Sequence, residues 1–235
     1  MNSLIDIIRQ ELADSVDEKT VKTSQNFFKE KIKFYGVKVP VVQQIAKKHS
    51  SKIESLTKQE IFDLCSRLWQ SGLIEESFVA CNWSYYIHKR FEPTDFRVFE
   101  KWIKEYVNNW ASCDTLCNHT VGEFIEMYPE FVASLNEFAR SQNRWVRRAA
   151  AVSLIIPARK GKFLNEIFEI ADILLLDSDD LVQKGYGWML KAASQAHRDE
   201  VFDFVMKNKY IMPRTALRYA IEKMPADMKK QAMSK

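Results

Sequence analysis

Apolar residues recur at three- and four-residue spacing along nearly the whole chain, and that period admits only one kind of element. An α-helix turns once every ~3.6 residues, so side chains three and four apart share a face and can be buried together. Six glycines and six prolines in 235 residues leave too few turn formers for a β protein, whose many reversals use those residues. The spacing predicts helices at 2–14, 19–33, 40–50, 58–71, 73–90, 95–108, 112–127, 129–140, 144–156, 162–176, 179–195, 198–208, 212–224 and 226–234. Several ends are marked. Thr57 followed by Glu60 reads as a capping box, and Asn143 as an N-cap before RWVRRAAAV. Pro40 suits a first helical position, with Gly36 closing the turn before it.

Short connections make neighbouring helices antiparallel partners. Helix pairs recur about every 35–40 residues, the kind of period seen in helical repeats. Each such pair can bury its apolar face only against its neighbours. The expected fold is therefore all-α, an α-α superhelix (curved solenoid) of HEAT-like helical repeats, with a compact bundle as the alternative. No linker or low-complexity stretch interrupts the chain, so residues 1–235 are expected to form a single HEAT-like repeat domain. The N-terminal MNSLIDIIRQEL lacks the charged-then-apolar layout of a secretory signal. No apolar run approaches the ~20 residues that a membrane span needs. A cytoplasmic, monomeric protein with reduced thiols and no membrane association is expected.

Several segments carry residues suited to chemistry. In NNWASCDTLCNHTVG, Trp110 and Asp114 are four apart and share a helix face. A carboxylate beside an indole can stabilise a cation, by charge and by the ring face together. The same two residues also suit a helix N-terminus, where Asp is favoured and Trp packs in the core. From Arg140 to Leu164 there are seven Lys or Arg residues and no acidic residue. Arg144, Arg147 and Arg148 fall within a helical turn, and Arg159, Lys160 and Lys162 crowd the following loop. Such a patch attracts phosphate backbones, although charge runs are often plain solvated faces. With a net charge of only +4, it is this distribution that points to nucleic acid. Lys184, Trp188 and Lys191 share one face of VQKGYGWMLK, where Gly185 and Gly187 leave room for a neighbouring helix or a ligand. Cys113, Cys117 and His119 lack a fourth ligand and the paired spacing of a zinc site, so no metal and no cofactor are expected.

Taken together, these segments resemble the AlkD-like family of DNA alkylation repair glycosylases over most of the chain. FYGVKVPVVQQIAKK resembles its early aromatic-Gly-Pro motif, NNWASCD its Trp-x-x-x-Asp element, NRWVRRAAAVSL its arginine helix, and VQKGYGWMLK its late Gly-Trp motif. The resemblance implies a stack of HEAT-like repeats that hydrolyses the N-glycosidic bond of cationic N3- and N7-alkylpurines such as 3-methyladenine and 7-methylguanine. It implies Asp114 as the catalytic carboxylate, Trp110 and Trp188 as aromatic partners, and Arg148 as a phosphate contact. Duplex DNA containing alkylated bases is the implied partner, with Arg144, Arg147, Arg159, Lys160, Lys162, Lys184 and Lys191 as further DNA-binding candidates. Phe27 stands where an active member offers a more polar aromatic residue. Two other functions stay open: a HEAT-repeat protein that binds damaged or branched DNA without chemistry, and a protein-interaction scaffold. An Asp114 that is buried or committed to a helix cap fits the non-catalytic binder.

Overall fold

Several helices start where the sequence supplies a cap, and within each compact unit they pack side by side. A computed structural model describes residues 3–234, so the expected helix start at residue 2 lies outside the described residues. The chain divides into two compact units, one ending at Leu116 and the other beginning at Cys117. The first contains α1 (Leu4–Asp14), α2 (Glu18–Ser24), α3 (Val39–Lys48), α4 (Ser50–Glu54), α5 (Lys58–Gln70), α6 (Ile74–Tyr86), α7 (Phe96–Glu105) and α8 (Trp110–Leu116). The second opens with a π-helical turn (Cys117–Val121), followed by α9 (Gly122–Met127), α10 (Val132–Ala139), α11 (Arg144–Val152), α12 (Ile155–Arg159) and α13 (Leu164–Ile173). It continues with α14 (Asp180–Ala193), α15 (Arg198–Asn208), α16 (Arg214–Ala220) and α17 (Ala226–Met233). Among the described residues there is no β-strand, only an isolated bridge between Lys33 and Leu73. The fold is all-α and built from helical repeats, as the periodicity predicts.

In the first unit, α3, α6 and α8 pack in sequence along one row, while α5 packs on α6 and α7. In the second, α11, α14 and α16 form the equivalent row, with α10 and α13 packed behind α11 and α14. Phe168 of α13 stacks on Phe204 of α15 with ring centroids 5.0 Å apart, which extends the back row. The core of the first unit is dominated by Trp83, Trp102 and Phe99, all fully buried. Each indole N–H finds an acceptor: Trp83 Nε1 donates to Ala46 O (3.1 Å), and Trp102 Nε1 to Ser66 Oγ (2.9 Å). Burial of these rings stabilises by roughly 2–3 kcal/mol each, and pairing the N–H avoids the penalty that would offset it.

The sequence-marked ends hold. Thr57 and Glu60 form a reciprocal capping box on α5, and Asn143 Oδ1 accepts from Trp145 N (2.9 Å) at the start of α11. Pro40 is the second residue of α3, one position later than expected but still in its first turn, and Gly36 has φ 95°, a value open chiefly to glycine. The helix expected at 19–33 is a correction. α2 ends at Ser24, a 3₁₀ turn covers Gln25–Phe27, and Phe28 is already extended. The Gln25 side chain holds the non-helical path, its Nε2 donating to Glu30 O (2.9 Å) and its Oε1 accepting from Ile32 N (3.4 Å), in place of helical bonds. Beyond it, a long-range acceptor fixes the following turn. The buried Glu75 carboxylate of α6 accepts from the backbone N–H groups of Tyr35 (3.0 Å), Gly36 (2.8 Å) and Val37 (3.1 Å). Charge-assisted bonds of this kind are about twice as strong as neutral ones and fix the turn that leads into α3. The expected helices 112–127 and 144–156 are each interrupted as well, the first by the π turn and the second between Val152 and Ile155.

Candidate functional site

The Trp110–Asp114 element lies on α8, and another residue caps that helix. Asn109 caps the helix: its Oδ1 accepts from Ser112 N (2.9 Å), and its Nδ2 donates to Ser112 Oγ (3.1 Å). Ser112 Oγ then meets Ser77 Oγ of α6 at 2.7 Å, which ties the cap to the core of its unit. Asp114 is the fifth residue of α8 and is not its cap. It retains 9% of its surface, so its carboxylate is largely withdrawn from water. Trp110, one turn earlier, is half-buried. Its Nε1 donates to Phe27 O (3.3 Å), and its ring stacks on Phe28 with centroids 5.5 Å apart and planes at 23°. The indole is thus oriented by the end of the 3₁₀ turn that follows α2.

An apolar cleft of about 330 Å³ opens beside this indole, lined by Phe27, Phe28, Ile32, Val37, Phe78 and Trp110 among others. Phe27 is 69% exposed and is held in place through its carbonyl rather than its ring. A second carboxylate beside Glu75 is also structural. Glu76 accepts from Arg9 Nε (3.1 Å) and from Tyr35 Oη (2.8 Å). Burial and that bond to Glu76 push the Tyr35 hydroxyl well above the usual phenol range. Neither Glu75 nor Glu76 was legible as a site support, because two acids in a first helical turn read as solvated. The NN pair before Trp110 was the one local signal for the Asn109 cap.

The basic candidates and Trp188 lie in the second unit, where most of them have acidic partners. Arg144 pairs with Asp179 (2.8 Å) and lies over the Trp145 ring. Arg147 Nε meets Asp177 Oδ2 at 2.6 Å, and its Nη1 donates to Ser141 O and Gln142 O, both at 3.0 Å. Asp179 also caps α14 through Leu181 N and Val182 N, so these two arginines clamp the turn that starts α14. Arg148 is buried. Its Nη1 donates to Leu181 O, and its chain passes over Gly185, where a Cβ would meet Arg148 Cγ at 3.4 Å. Gly187 serves helix packing: a Cβ there would come within 2.7 Å of Tyr219 Cβ and 2.8 Å of Ala216 O.

On α14, Lys184 pairs with Asp180 (3.2 Å) and Lys191 with Glu222 (2.9 Å), either side of a half-buried Trp188. Lys160 and Lys162 share Glu126 of α9, each at 2.7 Å. Arg159 is exposed and makes no ion pair among the described residues. The segment that carries no acid of its own therefore receives acids from elsewhere in the chain. Cys113 and Cys117 are buried, His119 is exposed, and among the described residues no cluster of three or more such side chains is placed to hold a metal ion. No described helix is long and apolar enough to cross a membrane.

Comparison with known proteins adds a family. A family model described as "DNA alkylation repair enzyme" matches residues 8–224. A solved structure described as "Predicted DNA alkylation repair enzyme from Enterococcus faecalis" superposes with a TM-score of 0.80 at 16% identity, covering 90% of this chain and 98% of that one. At that identity the likeness speaks for the fold. Comparison with curated proteins gives no match.

Proposed function

The chain belongs to the DNA alkylation repair enzyme family, and from that premise we propose that it is a monofunctional DNA glycosylase of cationic alkylated purines, 3-methyladenine and 7-methylguanine, in duplex DNA. Membership supports a role in DNA repair with DNA as the partner. The observation that carries the finer reading is on α8: Asn109 does the capping, so Asp114 is spared that task and sits one turn beyond an oriented, half-exposed indole.

The chemistry suits these groups. An N3- or N7-alkylated purine already carries positive charge and leaves as a neutral base once the bond from C1′ to the ring nitrogen breaks, so no general acid is needed. One carboxylate then suffices, in contrast to the pair used by most sugar hydrolases. As that bond lengthens, the deoxyribose gains oxocarbenium character, which Asp114 stabilises while it positions a water. The water adds to C1′ and gives up its proton to the carboxylate or to solvent. A carboxylate with little exposure acts through a low local dielectric, where charge stabilisation is strongest. The Trp110 and Trp188 faces favour the cationic base, and Arg148 holds a backbone phosphate. Arg144, Arg159, Lys160, Lys162, Lys184 and Lys191 add diffuse attraction to the duplex, while Arg147, held by Asp177 and two carbonyls, serves chiefly the fold.

A second reading, a DNA binder without chemistry, draws on the burial of Asp114. Single-turnover release of 7-methylguanine by wild type and Asp114→Asn, at matched folded concentration, separates the two. Under the glycosylase reading the variant stays folded and loses on the order of 100-fold or more in rate. Equal rates remove Asp114 from the mechanism, and no release by either protein leaves the non-catalytic binder.

A further inference from the structure

The connection from α12 to α13 holds two lysines on one carboxylate, and its shape does not depend on that contact. α12 ends in a Schellman arrangement: Gly161 N donates to Ala158 O (2.9 Å) and Lys162 N to Pro157 O (3.1 Å), with Gly161 at φ 77°. His197 Nε2 lies 3.0 Å from Gly161 O, which fixes the turn from a third element. Phe163 follows at φ 61°, the one non-glycine residue of positive φ among those described. Such a conformation costs on the order of 1 kcal/mol or more, and it persists only where the surroundings impose it. Two left-handed residues around Lys162 turn the chain so that Lys160 and Lys162 reach the same acid.

That acid is Glu126. Lys160 Nζ lies 2.7 Å from Oε1 and Lys162 Nζ 2.7 Å from Oε2, so each oxygen serves one ammonium group. The lysine side chains are about half exposed (51% and 49%), while the Glu126 side chain keeps only 9%. Arg159, the last residue of α12 and next to Lys160 in sequence, is exposed and without an ion pair among the described residues. The four groups carry a net positive charge even with the carboxylate present. Two ammonium groups bridged by the separate oxygens of one anion is also the arrangement they would take around a phosphodiester.

We propose that Arg159, Lys160 and Lys162 form a backbone-phosphate site of duplex DNA in which Glu126 is an internal stand-in for the phosphate, displaced from the lysines when DNA binds. The proposal rests on the DNA-repair reading above and adds a competitor to it. The carboxylate holds the lysines oriented in the free protein, and it lowers affinity for any duplex because its contacts must be exchanged. Loss of the competitor therefore strengthens binding, the opposite of what removal of a structural clamp would do.

The test is fluorescence anisotropy of an undamaged labelled duplex with the full chain, between about 50 and 200 mM salt. Glu126→Gln is expected to bind roughly two- to tenfold tighter, the range set by freeing two partly exposed ion pairs. Its plot of log affinity against log salt should steepen by about one to two, since each lysine contributes about 0.9 per phosphate neutralised. Lys160→Gln with Lys162→Gln should weaken binding, and by a larger factor in the Glu126→Gln background than in wild type. Unchanged or weaker binding by a folded Glu126→Gln overturns the proposal while leaving the DNA reading intact. Should that variant fail to fold, the double lysine variant decides alone, and an unchanged salt slope there overturns the proposal. No duplex binding by wild type at the lowest salt sinks both.

Discussion

Two glycines of α14, two residues apart, should respond to alanine with opposite signs. In an exposed helix, Gly→Ala gains about 1 kcal/mol from backbone entropy and propensity. At Gly185 the new Cβ would lie 3.4 Å from Arg148 Cγ, 3.6 Å from Arg148 Nη1 and 3.6 Å from Val152 Cγ1, all ordinary contacts with side chains. The propensity gain should survive, for a net stabilisation of about 0.5–1 kcal/mol. At Gly187 the new Cβ would lie 2.7 Å from Tyr219 Cβ, 2.8 Å from Ala216 O and 3.1 Å from Ala216 Cα. These atoms belong to the body of α16 and cannot swing aside, so α14 and α16 must separate. Overpacking of that kind costs about 1–3 kcal/mol and here falls at the upper end, which leaves a net loss of about 2 kcal/mol after the propensity gain. For a chain of this size each kcal/mol moves Tm by about 2–4 °C. Gly187→Ala should therefore lower Tm by about 4–8 °C, and Gly185→Ala should raise it by about 1–4 °C. Circular dichroism melts of the two variants and wild type provide the measurement. Shifts of the same sign and similar size would refute the reasoning, because they would mean that helix propensity alone governs α14.

Other expectations follow from the supports of each unit. Glu75→Ala leaves three backbone N–H groups of Tyr35, Gly36 and Val37 without their acceptor, and should cost about 3–5 kcal/mol in urea unfolding. An unchanged midpoint would show that water replaces the carboxylate at no cost. Asp17 caps α2, and bonds from Thr20 together with the Lys38 ammonium hold its carboxyl at about 2. A depressed folded value means its contribution is present above the unfolded value near 4 and is lost as pH falls from about 4 to about 2. Carbon-detected NMR titration of Asp17 reads this directly, and a midpoint near 4 would contradict it. Arg147 is committed to Asp177 and two carbonyls, whereas Arg159 is not. Arg147→Ala should thus lower Tm with little change in the salt slope of DNA binding, and Arg159→Ala should reduce that slope by about 0.9 at constant Tm. The reverse pattern would reassign both residues.

What the sequence determined by itself was everything encoded within a turn or two of helix. The 3.6-residue period placed the helices, Thr57 and Asn143 marked starts that the structure keeps, and the Gly-Trp segment placed a helix at α14. Such signals are legible because both partners in each interaction lie within a few residues of one another. Tertiary structure decided which groups were spent on holding the fold. The basic stretch 140–164 has no acid of its own, yet Asp177, Asp179 and Glu126 reach it from about 30 residues or more away. Residues 19–33 carry a helical pattern, but the helix stops at Ser24 and the Gln25 side chain bonds to Glu30 O and Ile32 N, while Glu75 on α6 takes the N–H groups of residues 35–37. Asp114 could have been a cap by composition, and only the geometry of Asn109 and Ser112 gave that task to its neighbour. Gly185 and Gly187 read alike in sequence and differ in what faces them, a side chain in one case and the backbone of α16 in the other. Local order follows from residue type and spacing, whereas the partner of a charge or of a missing Cβ exists only once distant segments have packed.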